Sequence, residues 1–312
     1  MTPAKPEISV IIPNLHSQMI DQTLHSVLDQ ETNHSMEIIV VGMDKWHLVE
    51  KFPEVNFIET PEPVSAPKAR NIGIKAAHSD WLVFIDSDCI AQSGWLNTLL
   101  NAFEEGWPVI GGGVKTPETP YWRLVYNLSM FHKQLSSQKR SETAFLPTLN
   151  LAVKREVVDK VGLMDEELPR GQDVDWTARM NLAGYRMLFE PSAVVEHLPA
   201  RYDLQTLRKY FYKSGYYMIR VRHRYPQIFK MPGLLRSPLV WRVFAPFISA
   251  GTTAKIFLRT AEVRQHFKTL RHIYLLKMAW CRGAADSLEA MNDETEDLIQ
   301  YACGHPHFQS CE

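Results

Sequence analysis

The stretch Trp81-Leu82-Val83-Phe84-Ile85-Asp86-Ser87-Asp88 decides the fold. Five consecutive apolar residues predict a strand buried on both faces, as in sheets covered by helices on either side. The run stops at two carboxylates one residue apart. In open α/β sheets ligands gather beyond the carboxyl ends of the strands, so an acidic pair stands where a ligand is expected.

Working outward, Glu7–Pro13 and Glu37–Val41 are further short apolar runs that predict buried strands, and Val55–Ile58 a third. Residues 18–30 carry Ile20, Leu24, Val27 and Leu28 at helical spacing, and Pro67–Ala77 has a helical pattern. Strands alternating with helices imply a Rossmann-like, mostly parallel sheet flanked by helices. After Gly111-Gly112-Gly113, which lacks the spacing of a dinucleotide fingerprint, the pattern loosens among Tyr121, Trp122, Tyr126 and Phe131. A second ordered block runs from Leu146 to His197, and Leu204–Tyr225 and Ala254–Met291 read as helical and basic.

The chain has 312 residues, 45% of them hydrophobic and 22% charged, enough for one large domain or two modest ones. That apolar content excludes a disordered chain, and no repeat of solenoid period is present. The net charge of −1 conceals an asymmetry: residues 1–200 carry −9, residues 201–282 carry +15 and residues 283–312 carry −7. An anionic partner is therefore expected at the middle of the C-terminal third. Four scattered cysteines and a start without a basic-then-apolar pattern point to reduced thiols in a cytoplasmic setting.

Asp86 and Asp88 can present oxygens to one hard divalent cation, Mg²⁺ or Mn²⁺, or can cap the turn after a strand. Upstream, Arg70 in Ala69-Arg70-Asn71-Ile72-Gly73 can pair with a phosphate oxygen or sit as a solvated cation. In Gly171-Gln172-Asp173-Val174-Asp175-Trp176 the two acids are two apart and do not share a helix face, so they do different jobs. One suits a general base and the other a helix-start acid. His197, closing the apolar run Ala193-Val194-Val195-Glu196, can be a metal ligand or a structural histidine.

Taken in order, strand-Pro13, Glu37–Val41, Ala69-Arg70-Asn71-x-Gly73, Phe84-Ile85-Asp86-Ser87-Asp88, Asn150, Gly162-Leu163-Met164-Asp165-Glu166, Gln172-Asp173, Gly184-Tyr185 and His197 resemble family 2 inverting glycosyltransferases of GT-A fold over residues 7–200. The resemblance implies a metal-assisted single displacement that moves a sugar from a UDP-, GDP- or dTDP-sugar to an acceptor hydroxyl. It implies a donor site at Pro13, Asp44, Arg70, Asp86, Ser87 and Asp88. It further implies metal ligands Asp88, Asp86 and His197, Asp173 as base, and an acceptor side at Asn150, Leu151, Gln172 and Trp176. Three positions depart from the family pattern. Gly42-Met43 precede Asp44 where an Asp usually follows the second strand. Pro13-Asn14-Leu15-His16 replaces Pro-Thr-Tyr-Asn. Gln172-Asp173 replaces Glu-Asp. The alternative is a non-catalytic sugar-nucleotide-binding or scaffold protein on the same fold. A nucleotidyltransferase would want a Gly- and Lys-rich loop, which Pro13–Gln18 does not offer.

The expected organisation is a catalytic domain over 1–200, with donor binding about 7–115 and the acceptor and base region about 116–200. A basic helical extension follows over 201–291, then an acidic flexible tail over 292–312. Within 206–230 cations interleave with Tyr210, Phe211, Tyr212, Tyr216 and Tyr217. The 12 uncharged residues between Arg242 and Lys255 are too few to span a bilayer, which takes roughly 20. Basic aromatic segments suit an anionic membrane surface; packing on the acidic catalytic domain is the competing use, and no nucleic-acid module accompanies them. The expected setting is cytoplasmic, peripheral on the inner membrane face, with a glycan, lipid or lipid-linked acceptor of the kind that builds envelope polysaccharide. The two Cys and two His of residues 303–311 fit no common zinc spacing.

Overall fold

A computed structural model describes residues 5–117, 119–200 and 203–304, the last eleven of them as backbone. It divides into two compact units at Asp203/Leu204, with Thr260–Gln265 returned to the first.

The first unit runs β1 (Ile8–Leu15), α1 (Ile20–Leu28), β2 (Met36–Met43), β3 (Val55–Glu59), α2 (Ala66–Ala76), β4 (Trp81–Ile85), β5 (Cys89–Ala91), α3 (Trp95–Glu104), β6 (Val109–Lys115), α4 (Tyr121–Met130), β7 (Ser141–Glu142), β8 (Asn150–Lys154), α5 (Arg155–Val161), α6 (Gln172–Leu182) and β9 (Met187–His197). These strands form one sheet in the order β3-β2-β1-β4-β8-β6-β9-β5, with β7 on β9. The half from β3 to β4 is parallel. Beyond β4 the sheet is mixed: β8 runs antiparallel to both β4 and β6, while β6 and β9 are parallel.

β4 lies inside the sheet, and its side chains enter two different cores. Val83 and Ile85 pack with Ile12 and Trp95 on one face, Leu82 and Phe84 with Ile39 and Trp176 on the other. That two-sided burial is what the unbroken apolar run requires. On α2, Ser65 caps the N-terminus by accepting from the Lys68 N–H, and Pro67 lies within the first turn. At the far end of the sheet the β6–β9 ladder shifts register between Gly112, which faces Glu190, and Gly113, which faces Val194. The bulge bends β9 so that its last residue, His197, pairs with Cys89 on β5.

The second unit contains α7 (Leu204–Arg224), α8 (Pro226–Phe229), α9 (Pro238–Val243), α10 (Ala245–Arg259) and, after α11 (Ala261–Gln265) of the first unit, α12 (Leu270–Gly304). The stretch expected to be helical over 254–291 holds the end of α10, all of α11 and the start of α12, and helix continues through the expected flexible tail as far as Gly304. Residues 305–312, and the side chain of Cys303, lie outside the described residues. Of the aromatic stretch of α7, Phe211 is buried and Tyr210, Tyr212, Tyr216 and Tyr217 are half-buried; α7 crosses α12 where Gly215 meets the Trp280 backbone and Gly283 meets the Tyr212 backbone. Among the described residues no helix is long and apolar enough to cross a membrane.

Candidate active site

At the carboxyl ends of β1 and β4 a cleft of about 760 Å³ opens between Pro13–Met19, Lys45-Trp46, the start of α2 and Asp86-Ser87-Asp88. Arg70 forms its floor. The side chain is almost wholly buried, one guanidinium nitrogen is ion-paired with the Asp86 carboxylate, and Nε and Nη1 have no partner among the described residues. Two buried, charged donors left open beside a cleft want an acceptor-rich anion, because an unmet buried donor costs about 1–3 kcal/mol. The neighbouring Asn71 is absorbed by the fold, holding the Met164 backbone and the Glu166 carboxylate.

Asp88 and His197 meet through the sheet. Pairing of Cys89 with His197 and the Leu198 N–H donating to the Asp88 carbonyl (2.8 Å) bring the two side chains together. His197 Nε2 lies 3.6 Å from Asp88 Oδ1. Asn127 on α4 fixes the ring: its amide nitrogen donates to the His197 carbonyl (2.9 Å), so its oxygen, 2.7 Å away, accepts from Nδ1–H. In the neutral ring Nε2 then turns a lone pair toward a carboxylate oxygen, an arrangement that a cation between them would satisfy. Cys89 Sγ completes a cluster whose ligand atoms all lie within 4.8 Å of one another. Burial, and next the Asp88 and Asp86 carboxylates, push this thiol well above its usual range, so it stays protonated. Asp86, expected as a ligand, is instead held by Arg70.

Asp173 stands in the first turn of α6, its Oδ1 accepting from the Val174 N–H at 2.8 Å. Burial raises its carboxyl above the ordinary aspartate range; the Val174 N–H and Arg70 pull the other way and Asp86 adds to the rise. Asp173 therefore shares the field of the Arg70–Asp86 pair. Beside it the Gln172 Oε1 is enclosed, with no partner among the described residues. Asp175 is the structural member of the pair, buried and bonded to Arg179 at 3.1 Å.

Four expected site residues are corrected. The carboxylate of Asp44 is turned inward, accepting from the N–H groups of Trp46 and Val49 (3.3 and 2.7 Å) and shaping a tight turn. The cleft wall there is Lys45 and Trp46, the ammonium 4.7 Å above the indole ring. Asn150 is buried in β8, accepting from Trp95 Nε1 and donating both amide hydrogens to the Gly113 and Ala193 carbonyls, so it serves the sheet and is not presented to an acceptor. Leu151 and Trp176 are wholly buried, the indole bonded to the Gly162 carbonyl. Pro13 and Ser87 do border the cleft. Gly42, unusual for this position by sequence, has φ +135° and no room for a Cβ against the Asn14 carbonyl, so strand packing demands it. Sequence reading missed Trp46 and Arg123, which border the cleft, and Asn127; only Trp46, a large aromatic after a strand, carried any local signal.

Residues 9–162 match the family model described as glycosyl transferase family 2. Pre-mycofactocin glycosyltransferase of Mycobacterium tuberculosis is 29% identical over 179 residues, 54% of this chain and 38% of that protein. Glycosyltransferase AglE of Haloferax volcanii is 28% identical over 222 residues, 68% of this chain and 73% of its own length. The chain thus spans well under half the length of the first of these relatives. Among solved structures, the mannosyltransferase PcManGT from Pyrobaculum calidifontis, in complex with GDP-Man and Mn²⁺, superposes with a TM-score of 0.55 at 16% identity, covering 88% of this chain and 86% of that one.

Proposed function

Because the chain belongs to glycosyl transferase family 2, we propose that it transfers a sugar from a nucleotide-sugar donor to an acceptor hydroxyl with inversion at the anomeric carbon. The observation that carries this reading is Arg70, buried at the cleft floor with two donors open, beside the Asp88–His197 pair and within the field of Asp173. Arg70 receives the donor diphosphate, and the exposed Trp46 ring offers a face for the nucleobase. Asp88 and His197 would hold a divalent cation, which when bound neutralises charge on the departing diphosphate. One imidazole in that donor set favours Mn²⁺ over Mg²⁺.

Asp173 takes the proton from the acceptor hydroxyl, whose oxygen forms a bond to the anomeric carbon as the bond from that carbon to the diphosphate oxygen breaks. The nucleoside diphosphate leaves with the electron pair. In this reading the Gln172 Oε1, without a partner among the described residues, accepts from a second hydroxyl. The acceptor in this reading is a glycan, lipid or lipid-linked hydroxyl presented at an anionic membrane surface on the cytoplasmic side, supported by the +15 of residues 201–282.

The test is thermal shift with UDP, GDP, dTDP and their sugars, with and without Mn²⁺, followed by assay of donor turnover. A nucleotide at 100 times its dissociation constant should stabilise the protein by about 2.7 kcal/mol, and Arg70→Ala should abolish the response. Stabilisation by no nucleotide would overturn the reading. The non-catalytic alternative predicts binding without turnover.

A further inference from the structure

We propose that residues 233–258 form a face that inserts into the surface of an anionic lipid bilayer. The proposal deepens the membrane setting of the preceding reading and does not depend on chemistry in the cleft. Helix α10 is built the reverse of a packed surface helix. Ser249 and Thr253 point inward with Ala245 and Ile256, Ser249 Oγ lying 3.6 Å from Cys281 Sγ, while Phe247 and Leu258 point outward, 73% and 72% exposed. Ala250, Gly251 and Ala254 are exposed between them, and spacings of 3, 4, 7 and 11 place all five on one uncharged stripe. Ahead of α10, Leu234 (71%) joins Phe244 and Phe247 around an apolar hollow of about 400 Å³.

Charge names the occupant. From Lys230 to Arg259 there are five cations and no acidic residue, and all five are exposed. Arg242 is bound to Asp286 and Glu289; Lys230, Arg236, Lys255 and Arg259 flank the apolar stripe. A second copy of the chain would bring the same five cations against these. An anionic bilayer takes both features at once, phosphates for the cations and acyl chains for Phe247, Leu258 and Leu234.

The experiment is co-sedimentation of the full chain with vesicles of phosphatidylcholine alone and of phosphatidylcholine mixed with phosphatidylglycerol. Binding is expected only to the mixed vesicles. Phe247→Ser should weaken it about tenfold or more and Lys255→Gln about fivefold, whereas Leu182→Ser, an exposed leucine of the first unit, should leave it unchanged. Melting curves of each variant separate loss of binding from loss of fold, and Leu258→Ser reads the same face if Phe247→Ser melts early. Equal binding to both vesicles, no binding, or variants that bind like the parent would overturn the proposal. So would a dimer, seen by sedimentation equilibrium, that Phe247→Ser dissociates. Vesicle binding without any nucleotide stabilisation would remove the transferase reading and leave this one standing.

Discussion

A carboxylate serves as a base only while ionised, and the surroundings of Asp173 resist ionisation. Burial is the largest cause, and Asp86 adds to it. The native protein therefore binds this proton more tightly than the unfolded chain does. The stability so gained is present below the unfolded pKa and declines as pH rises through the folded one. At neutral pH the ionised Asp173 costs stability and, in the proposed mechanism, supplies the base. Asp173→Asn should accordingly lower turnover at least ~10²-fold, keep nucleotide binding, and raise the melting midpoint at pH 7. Turnover of the parent should fall on the acid side with a midpoint above the ordinary aspartate range, read from kcat/KM against pH. An unchanged or lower midpoint in Asp173→Asn would mean that the carboxylate is structurally used. Asn127 is the complementary case, acting through another residue. Asn127→Leu removes the acceptor that keeps the proton on His197 Nδ1, and Mn²⁺ affinity, titrated by electron paramagnetic resonance, should drop about 10–100-fold. The places of Arg70, Asp88 and Asp173 near strand and helix ends were legible because a motif sets them there; their roles are those proposed above. Asp44 and Asn150 misled because a polar side chain reads the same whether it faces a cleft or its own backbone. Asn127 was invisible because its partner lies 70 residues away.

At the scale of elements, the second unit is held by a crossing that only glycine permits. A Cβ on Gly215 would collide with the Trp280 carbonyl, and one on Gly283 with the Tyr212 carbonyl. In an open helix, Gly→Ala gains about 0.8–1 kcal/mol from propensity. Gly251 in α10, with nothing within 4 Å of its would-be Cβ, should show that gain as a higher melting midpoint. Gly215→Ala should show the opposite sign, since the backbones must part, at a cost of about 1–3 kcal/mol. Equal shifts in the two variants would refute the close crossing. The same contrast explains which elements could be read from sequence. β1, β2 and β4 announce themselves by continuous apolar runs, which need no knowledge of partners. α7 was read as a helix, but its aromatics were expected at a membrane. Which face of a basic aromatic helix is covered depends on glycines that let another helix approach, and these two lie 68 residues apart. α4 escaped reading altogether, because it buries Asn127 and Ser129 along with Leu124 and Leu128, blurring the 3.6-residue period.

For the whole molecule, the charge division between −9 in residues 1–200 and +15 in residues 201–282 gives two kinds of electrostatics that salt tells apart. On the proposed membrane face a vesicle would be met by exposed cations across water, and such contacts are screened over a Debye length of about 8–10 Å near physiological salt. Under the proposed function a diphosphate would meet buried Arg70 at contact distance, where screening is weak, while the net negative field of the first unit would repel it. Added salt weakens that repulsion first. Raising NaCl to physiological strength should therefore lower vesicle binding about tenfold or more, while the nucleotide dissociation constant, measured by calorimetry in the presence of Mn²⁺, moves less than about twofold. The two titrations use one protein and one buffer series, so their difference is insensitive to general salt effects on folding. A nucleotide affinity that fell in step with vesicle binding would assign diphosphate recognition to the exposed cations of the helical unit and take it from Arg70.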